Sequence, residues 1–292
     1  MILLHRKVLR RRRKAMTILA IVLFTLLVIT VLGLMLSELN NIADFVQQHQ
    51  KHRLCVTIPY RDRWKELQEM LPLLHKFLSS QGIPAMYIIV NQSDIFRFNR
   101  ASLVNIGALE AERVGCDYMA IHDVDIVPLN ANLSYHYPEG HIMHTAAGKY
   151  HPIKRYDYKN FIGSVLIITL ADFKKVNGMS NDFWGWGLED DDFYLRLKEA
   201  GMADRIRRPS NLGSNRTNTF LHLHERGRRR DYSLDEYRKK RKRKRDKSSG
   251  LLNLNYTLKA CRTLKIRDIG VSMLDVNLFC DPTFASHCYA VP

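Results

Sequence analysis

An α/β domain with a parallel sheet, carried behind an N-terminal membrane-spanning helix, is the architecture this sequence predicts. Three observations predict it. From Leu54 onward, apolar runs of strand length alternate with segments of helical period, the pattern of βαβ units with helices on both faces of a sheet. The ends of those runs carry polar tips, PYRDR, NQSD and HDVD, where sheets of this class bind ligands. Ahead of them lie 22 uncharged residues, Ala15 to Leu36, which as a helix span about 33 Å against a hydrocarbon core of about 30 Å.

Taken in order, residues 1–14 are a basic tail with seven Lys/Arg and no acid, which keeps that flank cytosolic and sends the rest of the chain into a lumen, a single-pass type II topology. The apolar run of residues 15–36 exceeds the roughly 7 to 15 residues of a signal-peptide core, and no small-x-small cleavage site follows it. Residues 37–53, polar and with Gln47, Gln48 and Gln50, read as a stem, and residues 54–292 as the lumenal domain. Within that domain the sequence predicts strands at Leu54–Tyr60, Met86–Gln92, Tyr118–Val127 and Phe161–Leu170. Helices are predicted from Trp64 to Ser79, from Arg100 to Val114, and from Leu188 to a stop at Gly201.

The formal charge of +16 is concentrated in two runs, +7 in the tail and +8 over Arg238 to Lys247, so the remainder carries about +1. KKRKRKR, Lys239 to Arg245, would suit a membrane-anchored nucleic-acid binder, but no RNA-binding sheet signature, zinc finger or homeodomain pattern accompanies it, and it falls on the lumenal side. Nucleic acid is therefore not an expected partner. The run is read either as a solvated face or as an attractor of acidic partners. Of five cysteines, Cys280 and Cys288 flank Pro282 and are the expected bridge. The pairing among Cys55, Cys116 and Cys261 stays open, with at least one thiol left over. Asn91, Asn132, Asn215 and Asn255 head N-x-S/T sequons, and the last three are the glycosylation candidates.

Four stretches carry chemistry. HDVD lies at the end of the predicted strand, where alternation puts Asp123 and Asp125 on one face, a carboxylate pair for a divalent cation. FLHLHERG places His222 and His224 two residues apart, with Leu221 and Leu223 expected to turn into the core. Two imidazoles beside a carboxylate and without a cysteine suit manganese better than structural zinc. Arg61 and Arg63, with Arg97, Phe98 and Arg100 opening a helix, supply phosphate-seeking guanidinium groups and an aromatic face for a base. The absence of a P-loop or GxGxxG favours a nucleoside diphosphate on a metal. In FWGWGLEDDDF, Trp186 between Gly185 and Gly187 is a candidate sugar platform. Of the acids Glu189 to Asp192, Asp192 is expected to pair with Arg196, and only one or two of the others can face a cleft.

With HDVD, FNRA, FWGWGLEDDDF and HLH in this order, the region from Leu54 to about Asp231 resembles the β-1,4-galactosyltransferase family, and within it the xylosylprotein branch, whose HxH motif HLH matches. The resemblance implies a nucleotide-diphospho-sugar glycosyltransferase fold of the A type, Rossmann-like. It also implies a Golgi location with a lumenal catalytic domain, Mn2+ as cofactor, UDP-galactose as donor, and inverting transfer to the 4-hydroxyl of xylose on proteoglycan core proteins. Carried over by residue, it implies that Asp125, His222 and His224 ligate the metal. Pro59, Arg61, Arg63, Phe98, Arg100, Asp123 and Trp186 would meet the UDP-sugar. Trp186, Glu189, Asp190, Tyr156 and Tyr158 would meet the acceptor, with Asp190 as the base. Phe161 and Leu188 depart from the family pattern. N-acetylglucosamine is the alternative acceptor, disfavoured by bulky Tyr156, Tyr158 and Phe161.

Overall fold

The computed structural model describes residues 16, 21–41, 52–224, 231, 247–280 and 287–289. The basic tail, most of the expected stem and the run Lys239 to Arg245 lie outside the described residues. The chain forms two units, residues 1–51 and 52–292. In the first, helix α1, Ile21–Asn41, has a mean hydropathy of 2.4 and no buried side chain, as an element long and apolar enough to cross a membrane should. It runs on past Leu36, because the apolar run sets how much of a helix lipid can cover and not where the helix ends.

The second unit is built on eight strands in the order β7-β5-β6-β3-β1-β2-β10-β9. These are β1 Leu54–Tyr60, β2 Ala85–Gln92, β3 Tyr118–His122, β5 Ile142–His144, β6 Val165–Thr169, β7 Ile206–Arg207, β9 Tyr256–Ile266 and β10 Ile269–Leu278. The expectation of a parallel sheet holds for its centre, β3-β1-β2-β10, and for the short edge pair β5–β7. β6 runs antiparallel to β3 and β5, and β9 antiparallel to β10, so the sheet is mixed. Helix α2, Trp64–Ser80, covers one face with Leu67, Met70, Leu71, Leu74, Phe77 and Leu78, a stripe at i, i+3, i+4 and i+7 spacing. Helix α3, Arg100–Arg113, covers the other and is capped by Asn99, whose side chain accepts from Ser102 N at 3.0 Å. It lies so close to β1 that a Cβ on Gly107 would sit 2.0 Å from Thr57 Cγ2. Each face holds its own core, and β1 contributes Cys55 to one and Leu54, Val56 and Ile58 to the other, as alternation along a strand requires.

Two expected strands are shorter than their apolar runs. Tyr118–Val127 breaks at Asp123, because residues 123–125 form a turn between β3 and the short β4, Ile126–Pro128. Phe161–Leu170 is extended only from Val165, and Leu170 opens helix α4, Leu170–Lys175, under a Thr169 cap. Cys280 and Cys288 are bridged as expected, and Cys288 O accepts from Arg97 N at 2.7 Å in the loop before α3. The open pairing resolves as Cys55 with Cys116, leaving Cys261 exposed on β9.

Candidate active site

Two of the polar tips, PYRDR and HDVD, meet in one cleft of about 380 Å³ beyond the carboxyl ends of β1 and β3, and each residue expected at substrate or metal lines it, whereas none of the NQSD tip after β2 does. On one wall, β4 pairs antiparallel with β8, Phe220–His222, setting Ile126 opposite His222, and Leu223 N donates to Asp125 O at 2.8 Å. This ladder, not alternation along a continuous strand, carries Asp125 to the histidines. His224 Nδ1 lies 3.1 Å and His222 Nε2 3.9 Å from Asp125 Oδ2, the two rings stack at 5.6 Å, and the three ligand atoms fall within 4.8 Å of one another. Burial pushes the Asp125 carboxyl up, but the His224 hydrogen bond, both imidazoles and Arg63 outweigh it and hold the group below its ordinary value. A carboxylate kept ionised between two neutral-capable nitrogens, with no thiolate, fits Mn2+. Leu221, expected in the core, is 37% exposed instead; only Leu223 packs inward, because β8 ends at His222 and alternation ends with it.

On the facing wall, helix α5, Glu189–Glu199, starts from Leu188, whose φ of 77° makes the sharp turn out of Gly187. The four acids diverge. Asp192 pairs with Arg196 at 2.8 Å, as its i+4 spacing predicts, and Asp191 accepts from the Tyr158 hydroxyl at 3.4 Å. Asp190 accepts from Arg100 Nη1 at 3.0 Å, and Glu189 has a buried Oε2 with no hydrogen-bond partner among the described residues. Arg100 also donates from Nε to Asp123 at 2.8 Å, so its guanidinium bridges two carboxylates. Burial drives Asp190 well above the ordinary carboxylate range; Arg100 opposes that shift, while Glu189, Asp123 and Asp191 add to it. Gly163 lies beneath this carboxylate, where a Cβ would come 2.2 Å from Asp190 Oδ2.

Between the walls, Trp186 N donates to Asp231 O at 2.9 Å, and Asp231 is gripped through both carboxylate oxygens by buried Arg97. Trp184 is buried against Phe96, which leaves Trp186 as the cleft tryptophan. Tyr156 stacks on Phe161 at 4.7 Å, so the phenylalanine fills the place a tyrosine was expected to hold. Arg61 stands over the Phe98 ring at 6.0 Å and donates to Gln92 O, Phe96 O and Asp94, shaping the loop after β2. Arg63 donates to Glu66 and approaches His224 within 3.5 Å. Sequence reasoning missed His151, Ser164 and Asp231, which also line the cleft. Asp231 lies in a basic stretch with no motif, and His151 and Ser164 become neighbours only when β6 folds back on β3.

Profiles described as the N-terminal region of glycosyl transferase group 7 and the N-terminal domain of galactosyltransferase match residues 44–138 and 142–225. The xylosylprotein 4-beta-galactosyltransferase of Caenorhabditis elegans is 43% identical over 90% of this chain and 92% of its own length. The chain belongs to the β-1,4-galactosyltransferase family. Its likeness falls in the xylosylprotein branch: the human beta-1,4-galactosyltransferase 7 is 40% identical over 81% of this chain and 71% of its own length. The catalytic domain of the Drosophila family member, solved with xylobiose, superimposes with a TM-score of 0.76 at 40% identity, covering 82% of this chain and all of that one. A mutant of the same enzyme, solved with manganese, UDP-Gal and xylobiose, gives 0.77 over the same coverage.

Proposed function

We propose that this family member transfers galactose from UDP-galactose to the 4-hydroxyl of xylose on proteoglycan core proteins, with inversion, from a type II position in the Golgi membrane. The observation that carries the reading is the convergence of Asp125, His222 and His224 on the wall of the same cleft that holds Asp190. Those three residues would hold Mn2+, which when bound supplies positive charge against the diphosphate leaving group. Arg63, beside His224, and the Phe98 ring with Arg61 behind it offer the nucleotide a cation and a face for the base.

The acceptor side follows from the aromatic wall. Trp186 offers a flat face for a sugar, and the Tyr156–Phe161 stack with Tyr158 narrows the space where a hydroxymethyl or N-acetyl group would project. Asp190 takes the proton of the attacking 4-hydroxyl while the bond from galactose C1 to the phosphate oxygen breaks and its electron pair leaves with UDP. General-base help of this kind is worth ~10² to 10⁴ in rate. A buried base with an elevated pKa is a stronger proton acceptor, and Arg100 keeps it ionised enough to act. Glu189, with its open oxygen, holds an acceptor hydroxyl. With Asp123 held by Arg100 and Asp125 by the histidines, the acceptor hydroxyl displaces UDP directly with Asp190 as its base, and a single displacement inverts C1.

The deciding assay follows UDP-galactose consumption with a β-xyloside or N-acetylglucosamine, with and without Mn2+. Turnover only with the xyloside and Mn2+ is expected; preference for N-acetylglucosamine would overturn the acceptor assignment.

A further inference from the structure

We propose that the hydroxyl of Ser164 donates a hydrogen bond to a hydroxyl oxygen of the transferred galactose, aimed there by the imidazole of His151. The inference rests on the reading of the cleft as a galactosyltransferase site and adds to it a donor-sugar contact.

Ser164 lines the cleft with a φ of 64°, the left-handed region where a residue bearing a Cβ is strained. A position needed only for its backbone turn would be served best by glycine, so a side chain at this φ calls for a use. Its carbonyl accepts from Asp123 N at 2.9 Å, and its neighbour Gly163 lies against the Asp190 carboxylate. The hydroxyl therefore stands between the base and the aspartate turn, where a sugar must lie if Asp190 is to work on one side of its C1 and the diphosphate to leave from the other.

The direction of the hydroxyl is set by hydrogen-bond bookkeeping around His151, which is 1% exposed. The backbone N–H of Ile153 donates to Nδ1 at 3.0 Å, and a backbone amide cannot give up its hydrogen, so Nδ1 is the acceptor. Ile153 O is also 3.2 Å from Nδ1, but a hydrogen on Nδ1 would face the amide hydrogen. Nε2 then carries the proton and donates to Ser164 Oγ at 3.0 Å. Burial lowers the His151 pKa to about 4, which keeps the ring neutral and the tautomer fixed. With one lone pair engaged by His151, the Ser164 O–H points elsewhere, and no acceptor for it stands among the described residues. The open side of the cleft is what remains.

The test uses Ser164→Gly in the full chain. Glycine relieves the strained φ and so offsets part of what the buried His151 Nε2–H costs when it loses its acceptor, and melting curves, with assays run well below the variant's melting temperature, separate a loss of activity from a loss of fold. Expected is a fall of about fivefold in kcat/KM for UDP-galactose, the worth of one uncharged hydrogen bond, with inhibition by UDP alone unchanged. Against the 2-, 3-, 4- and 6-deoxy UDP-galactoses, the wild-type to variant ratio should drop to unity for one analogue and persist for the others. A variant as active as wild type, a ratio that persists for all four analogues, or a parallel loss of UDP inhibition would each overturn the contact. If wild type itself does not turn over UDP-galactose, it is the galactosyltransferase reading that fails.

Discussion

Replacing Arg100 with glutamine tests what holds Asp190, the proposed base, ready. Arg100 touches Asp190 at 3.0 Å and Asp123 at 2.8 Å, and its side chain is only 13% exposed. With about 4 Å between charge centres and an effective dielectric of ~20, one such pair is worth ~4 kcal/mol, the upper end of the one to three pH units by which a neighbouring cation lowers a carboxyl. Arg100→Gln should thus raise the Asp190 pKa, already lifted by burial, and move the acid limb of the kcat/KM profile up by about one to three pH units. Arg100→Lys should fall between, because a single ammonium cannot fork to both acids. Stability adds an independent sign. A carboxyl whose folded pKa exceeds its unfolded value stabilises the fold at low pH and loses that contribution as pH rises through the folded pKa, so the variant should lose most stability near neutrality and least in acid. The readings are a pH–rate profile with UDP-galactose and xyloside, and melting curves across pH. A uniform loss of rate at every pH, accompanied by lost UDP affinity, would refute this account and return Arg100 to the nucleotide contact its sequence position suggests.

Asp190→Asn should abolish transfer while UDP binding, measured calorimetrically, stays intact; a variant with near-normal turnover removes Asp190 as the base. His224→Ala takes away the imidazole 3.1 Å from Asp125 and should raise the Mn2+ concentration for half-maximal activity at least ~10-fold, whereas an unchanged titration curve would dismiss it as a ligand. Gly163→Ala drives a Cβ to 2.2 Å from Asp190 Oδ2, so the carboxylate must move and kcat should drop by ~10²; retained kcat would show that the base tolerates displacement.

The central strands and helices were legible because each hides a whole face: β1 is buried at all seven residues, and α2 shows its stripe at helical spacing. The hairpin β9–β10 was not, because β9 is an edge strand with mostly exposed residues and turns through Arg267 and Asp268, both at positive φ without a glycine or asparagine to announce it. The metal candidates were readable from residue type, yet the reason they meet, the register of β4 against β8, is a long-range pairing that no local pattern encodes. Arg100 is the sharper lesson. Its place at a helix start spoke for phosphate, and only the fold shows two carboxylates competing for it.

The Cys55–Cys116 bridge joins β1 to the approach of β3 at the ends of those strands farthest from Pro59 and Asp123. A covalent tie placed there secures the foundation of the sheet and leaves its working rim free to adjust around substrate. A chain that leaves this pair reduced should yield fewer folded molecules, each one chemically competent, and not a full complement of sluggish ones.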